Sequence, residues 1–140
     1  MDIRQLTPRY YVAPQICCED MTALREAGIT LILCNRPDVE VPPSHQAAAI
    51  RAAAEAAGLR FAELPLTHQS LVPDVIAENR RQGADTDEVV LAYCASGTRS
   101  CIAWALGSAG SAPAQDILNT AQAAGYDLSN IAPVLDKPFC

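Results

Sequence analysis

Two uninterrupted apolar runs, "ITLILCN" (29–35) and "EVVLAYC" (88–94), constrain this chain more than any other feature. A strand buried on one face alternates apolar with polar. A strand buried on both faces is apolar throughout, which is the pattern of parallel sheets covered by helices on each side. The segments between the runs are helical. "EDMTALREAG" (19–28) has Asp20 as N-cap and Gly28 as stop; "SHQAAAIRAAAEAAG" (44–58) runs from a Ser44 cap to Gly58. "VPDVIAENRRQG" (72–83) carries Pro73 in its first turn. "RSCIAWALGSAG" (99–110), "PAQDILNTAQAAG" (113–125) and "LSNIAPVLD" (128–136) complete the helices. "YYV" (10–12) and "LRFAELPL" (59–66) read as two more strands, and "RPDVEVPP" (36–43) as a loop. This alternation predicts an α/β fold, a parallel sheet with helices on both faces, in one domain over residues 1–140.

In such a sheet, ligands bind beyond the carboxyl ends of the strands. Three stretches qualify: "CNRPD", "LTHQS" and "CASGTRS". The last is the most specific. An apolar strand runs into Cys94, then Ala95, Ser96, Gly97 and Thr98, and then Arg99 and Ser100 at the start of a helix. Loop amides and the first helical turn aim N–H groups at one point, and the helix dipole adds positive charge there. Gly97 permits a backbone conformation that other residues resist. Arg99 supplies a permanently charged planar fork for an oxyanion, and Ser100 a hydroxyl for the thiolate. Together these favour a Cys94 thiolate, the nucleophilic form of cysteine.

A net charge of −6 argues against nucleic acid or an anionic membrane as partner, so a small anionic substrate needs this local positive site. The six cysteines include no C-x-x-C pair, and His45 and His68 stand apart, so neither metal nor cofactor is expected. "MDIRQLTPRYYV" has no apolar leader core and no run approaches a membrane span. These features predict a reducing, cytoplasmic setting with free thiols.

"YCASGTRS" resembles the C-x-x-G-x-R loop of rhodanese-type sulfurtransferases. Together with "CNRPDVE", "GLRFAELPL" and "AAGYDLSNI", it also resembles the phosphatase-like domain of beta-lactamase hydrolase-like proteins, a family also labelled a sulfur transferase family. That resemblance covers nearly the whole chain and implies a tyrosine-phosphatase-like architecture of the dual-specificity type. Phosphatases of that fold carry one more residue between Cys and Arg than the four found here. Relatives often have Arg directly after the cysteine, where this chain has Ala95.

The short loop favours sulfur transfer through a Cys94 persulfide, with Arg99 and the 95–99 amides as the anion cradle and association with a sulfur-metabolising enzyme. The alternative is phosphoester hydrolysis through a cysteinyl-phosphate. A third reading is a non-catalytic thiol redox or anion sensor. For a proton donor the candidates are Asp38, with Glu40 close by, and His68. Arg36 is a second anion contact or pairs with Asp38 or Glu40. Cys34 and Cys101 are either small buried residues or resolving thiols for Cys94.

Overall fold

The computed structural model describes residues 1–140. Strands β1 (Arg4–Thr7), β2 (Tyr10–Ala13), β3 (Leu31–Cys34), β4 (Arg60–Glu63) and β5 (Val90–Tyr93) form one sheet in the order β1-β2-β5-β3-β4. β5 pairs in parallel with β2 and β3, and β3 in parallel with β4. Only the edge strand β1 runs antiparallel, against β2. The fold is therefore α/β with a mixed sheet rather than a purely parallel one. "RQLT" buries Leu6 alone, so β1 carries no apolar pattern by which to find it.

Each face of the sheet has its own core. Leu31, Leu33, Val90 and Ala92 point to one side, against Ile76 of α3 (Pro73–Gln82), Trp104 of α4 (Thr98–Ser108) and Ile117 of α5 (Ala114–Ala123). Ile32, Cys34, Leu91 and Tyr93 point to the other, against Leu24 of α1 (Met21–Glu26) and Ile50 of α2 (Ala47–Ala56). This is why both long apolar runs lack alternation. Each fully buried Leu or Ile in these layers contributes about 1.5–3 kcal/mol. No helix is long and apolar enough to cross a membrane.

Three local expectations change. Ser44 does not cap α2: it lies in a 3-10 turn (Pro43–His45), where its hydroxyl meets the His45 ring, and α2 begins at Ala47. The helix takes its cap from a distance, Asp38 Oδ1 accepting the Ala47 N–H at 2.8 Å. Asp20 reaches back to the Cys17 N–H at 2.8 Å and makes no side-chain cap to α1. "LSNIAPVLD" forms 3-10 turns over Ser129–Val134, since Pro133 has no N–H with which to continue an α-helix.

Candidate active site

Because β5 is flanked by β2 and β3, its carboxyl end opens between the loops that follow its neighbours. The Cys94 N–H donates to Ala13 O at 3.3 Å, and the Gln15 N–H to Ala95 O at 3.3 Å, so the β2 ladder carries on past the strand end and fixes where the loop begins. Gly97 then turns the chain with φ +93°, and α4 starts at Thr98. The Gly97 N–H donates to Cys94 Sγ at 3.2 Å. The N–H groups of Ala95, Ser96, Arg99 and Ser100 donate to nothing within the chain, as expected where a helix leaves its first donors unpaired. Ser96 Oγ bonds Thr98 Oγ1 at 2.9 Å and accepts the Thr98 N–H at 3.4 Å, which takes that amide out of the cradle.

Arg99, 8% exposed, is tied on one edge. Nη1 donates to Glu40 Oε2 at 2.8 Å and to Leu66 O at 2.7 Å, and Nη2 donates to Glu40 Oε1 at 2.7 Å. A guanidinium has five N–H donors, so Nε–H and one Nη2–H remain. The Arg99 pKa is raised by Glu40 foremost, against the effect of burial, and Cys94 adds to the rise. Glu40, in turn, is held below the usual carboxylate range by Arg99 first, with Arg36 assisting. The fork left free on Arg99 suits bidentate binding of an oxyanion beside Cys94.

Loops after β3, β4 and β5 enclose a cleft of about 340 Å³, lined by Glu40, Thr67, His68, Gln69, Ala95, Ser96, Thr98 and Arg99. Cys94 is itself buried, behind the exposed Ala95 and Ser96. His68 is exposed on the cleft wall, in a turn closed by the Thr67 N–H donating to Ser70 Oγ at 2.9 Å. Asp38 does not line the cleft, and its carboxylate accepts the Ala47 N–H at the start of α2. Arg36 turns to Glu40 (Nε–Oε1 3.2 Å) and to Gln15 Oε1 at 3.2 Å; of the two expectations for it, the structural pair with Glu40 holds.

Ser100 corrects a further expectation. Its hydroxyl donates to Asn35 Oδ1 at 2.9 Å instead of to the thiol. Asn35 Nδ2 donates to Leu64 O and to Asn79 Oδ1, both at 2.9 Å. Asn35, Asn79 and Ser100 are all buried, so this network ties the ends of β3 and β4, α3 and the first turn of α4 into one block beneath the cleft. Neither asparagine was singled out from the sequence. The one signal was an Asn at the end of an apolar strand, where a buried amide needs several partners. Tyr126 was also missed: its hydroxyl donates to Ser96 O at 3.3 Å from the segment after α5.

The two candidate resolving thiols lie on opposite faces. Cys34 belongs to the α1–α2 core beside Tyr93, and Cys101 to the α3–α5 core. Cys101 is on the side of Val90 and Ala92, the face that alternation gives Cys94, but burial pushes its thiol up to about 12. Outside the cleft, Cys17 Sγ lies 3.5 Å from His45 Nε2, yet burial and then Asp20 and Glu19 raise its pKa, which disfavours a thiolate.

Residues 2–111 match the family model described as beta-lactamase hydrolase-like protein, phosphatase-like domain. The chain is 28% identical to beta-lactamase hydrolase-like proteins of Agrobacterium fabrum, over 89% of its length, and of Xylella fastidiosa, over 98%. It spans only 29% and 32% of those two proteins. The structure is similar to that of a candidate phosphatase from Neisseria meningitidis, at 33% identity and a TM-score of 0.85, covering 97% of each chain. It also shares its fold with Pseudomonas aeruginosa TpbA in complex with phosphotyrosine, at 17% identity and a TM-score of 0.67, over 90% of this chain and 75% of the other. A tyrosine-phosphatase-like fold is thereby established. Sulfur transfer finds no support in these comparisons, which favour the phosphatase alternative.

Proposed function

This chain belongs to the beta-lactamase hydrolase-like protein, phosphatase-like domain family, and on that premise we propose that it hydrolyses phosphate monoesters through Cys94. The observation that carries the reading is the way Arg99 is held. One edge is consumed by Glu40 and Leu66, and the other is left for a phosphoryl group beside the sulfur. A four-residue spacing puts Arg99 in the first turn of α4, so the guanidinium and the free amides of the loop serve one anion together. Glu40 and Leu66 O set the arginine's direction from outside the loop, which offsets the shorter spacing and the absence of a cation at Ala95.

Catalysis then runs in two steps. The phosphoryl oxygens take up the Nε and Nη2 donors of Arg99 and the free amides of Ala95, Ser96, Arg99 and Ser100. The Cys94 thiolate attacks phosphorus: an S–P bond forms, the ester P–O bond breaks, and the leaving oxygen takes a proton. His68, on the cleft wall and free of any side-chain bond, is placed to donate it. Water then attacks phosphorus, the S–P bond breaks, and inorganic phosphate and the thiolate are released. The cysteinyl-phosphate needs neither metal nor cofactor. The positive site is local, set in a chain of net charge −6, so the recognised group is the phosphoryl head.

An aryl phosphate is the appropriate probe, given that TpbA was solved with phosphotyrosine. Turnover by the intact chain that disappears in Cys94→Ser supports the proposal. Absence of turnover, with a sulfur atom gained at Cys94 from thiosulfate, would return the assignment to sulfur transfer.

A further inference from the structure

We propose that Tyr126 is a positioning residue for the nucleophile, clamping the one peptide unit whose N–H reaches Cys94. The Tyr126 hydroxyl donates to Ser96 O at 3.3 Å. The Gly97 N–H donates to Cys94 Sγ at 3.2 Å. That carbonyl and that N–H belong to a single planar unit, and the chain contains no cis peptide. In a trans unit the two groups point in opposite directions. Holding the carbonyl from one side therefore aims the N–H at the sulfur on the other.

The approach is close enough to restrict Gly97. A Cβ built there would collide with the Tyr126 hydroxyl and lie 3.4 Å from the carbonyl carbon of Ala13. Tyr126 is itself fixed. Its N–H donates to Ala121 O at 2.9 Å, it follows the Gly125 turn (φ +98°) that ends α5, and Arg4 Nη1 donates to Ala124 O at 2.8 Å. It does not line the cleft, so it acts on the reaction only through the loop. It also lies beyond residues 2–111, outside the stretch that matches the family model. The C-terminal segment thus takes part in the site although no cleft residue comes from it.

The proposal rests on the phosphatase reading for its effect on turnover, but its direct readout does not. Tyr126→Phe keeps the ring and removes the hydroxyl. Ionisation of Cys94 is followed by the far-ultraviolet absorbance of the thiolate against pH, after subtraction of the matching Cys94→Ser protein. With one hydrogen-bonded amide released from the sulfur, the midpoint moves up by about 0.5–1 pH unit, with the thermal midpoint of unfolding little changed. In turnover, kcat/KM on the aryl phosphate falls at neutral pH and recovers as pH rises. An unchanged ionisation midpoint overturns the proposal, even if Tyr126→Phe is less stable or less active. If the wild type turns over no phosphate ester, the titration still decides the role of Tyr126, so the two failures are distinguishable.

Discussion

Glu40 meets Arg99 end-on, each carboxylate oxygen taking one Nη hydrogen at 2.7–2.8 Å. Glu40 closes a 3-10 turn (Asp38–Glu40) after β3 and Arg99 lies in the first turn of α4, so the contact joins two of the three loops around the cleft. Its consequence is directional: it decides which edge of the guanidinium faces Cys94. Glu40→Gln keeps the shape but weakens a charge-assisted pair that contributes on the order of 1.5–3 kcal/mol per bond to a charged group. The variant should lose about tenfold or more in kcat/KM on an aryl phosphate, with KM carrying part of the loss. Unchanged kinetics would mean that Glu40 does not orient the arginine.

The same pair has a pH signature. Arg99 lowers the Glu40 pKa in the folded state, so the stabilisation is fully present above the ordinary carboxylate value of about 4.3 and is lost as pH falls through the lowered one. The stability difference between wild type and Glu40→Gln should therefore be constant near neutral pH and close at acidic pH. Denaturant unfolding at a series of pH values measures it. A difference that widens on acidification would contradict the pairing.

Gly97→Ala is expected to be worse than an ordinary glycine substitution. A positive φ disfavours any Cβ by about 1–2 kcal/mol, and this Cβ would also meet the Tyr126 hydroxyl. Activity should fall along with the thermal midpoint. The double variant Gly97→Ala, Tyr126→Phe should recover part of the stability loss, because it removes the closest steric contact and leaves the backbone cost and the ring contact at 3.1 Å. No recovery would place the whole cost in the backbone and that ring contact.

Asn35→Ala takes the Asn35 donor from Asn79 Oδ1 and the Asn35 acceptor from the Ser100 hydroxyl in a dry environment, which costs about 1–3 kcal/mol per orphaned group. Asp38→Asn keeps an oxygen to accept the Ala47 N–H, so it should cost less than about 0.5 kcal/mol, with no change in the pH dependence of turnover. Urea unfolding, together with a pH–rate profile for the second variant, checks both. A lost limb in the Asp38→Asn profile would restore Asp38 as proton donor.

The parts of this molecule that local chemistry dictates were readable in the sequence. β3 and β5 were identified because burial on both faces removes alternation, and the Cys94 loop because a strand, a glycine and an arginine fall at fixed offsets. What was not readable depends on distance in the chain. β1 has a single buried side chain; Asp38 caps a helix nine residues on; Ser100 finds Asn35 65 residues away, and Glu40 finds Arg99 59 residues away. The loop length argued for sulfur because the loop was read alone. The arginine's orientation comes from Glu40 and Leu66, which no spacing inside "CASGTRS" records.

In the proposed reaction Cys94 carries a phosphoryl group between the two steps. Rapid quenching of the protein with an aryl phosphate, followed by intact mass, tests it most directly. The expected result is a transient mass gain of one phosphoryl group on the wild type, absent from Cys94→Ser, and steady release of inorganic phosphate that is lost in the same variant. No phosphoryl adduct and no release, with thiosulfate instead leaving one added sulfur on Cys94, would contradict it.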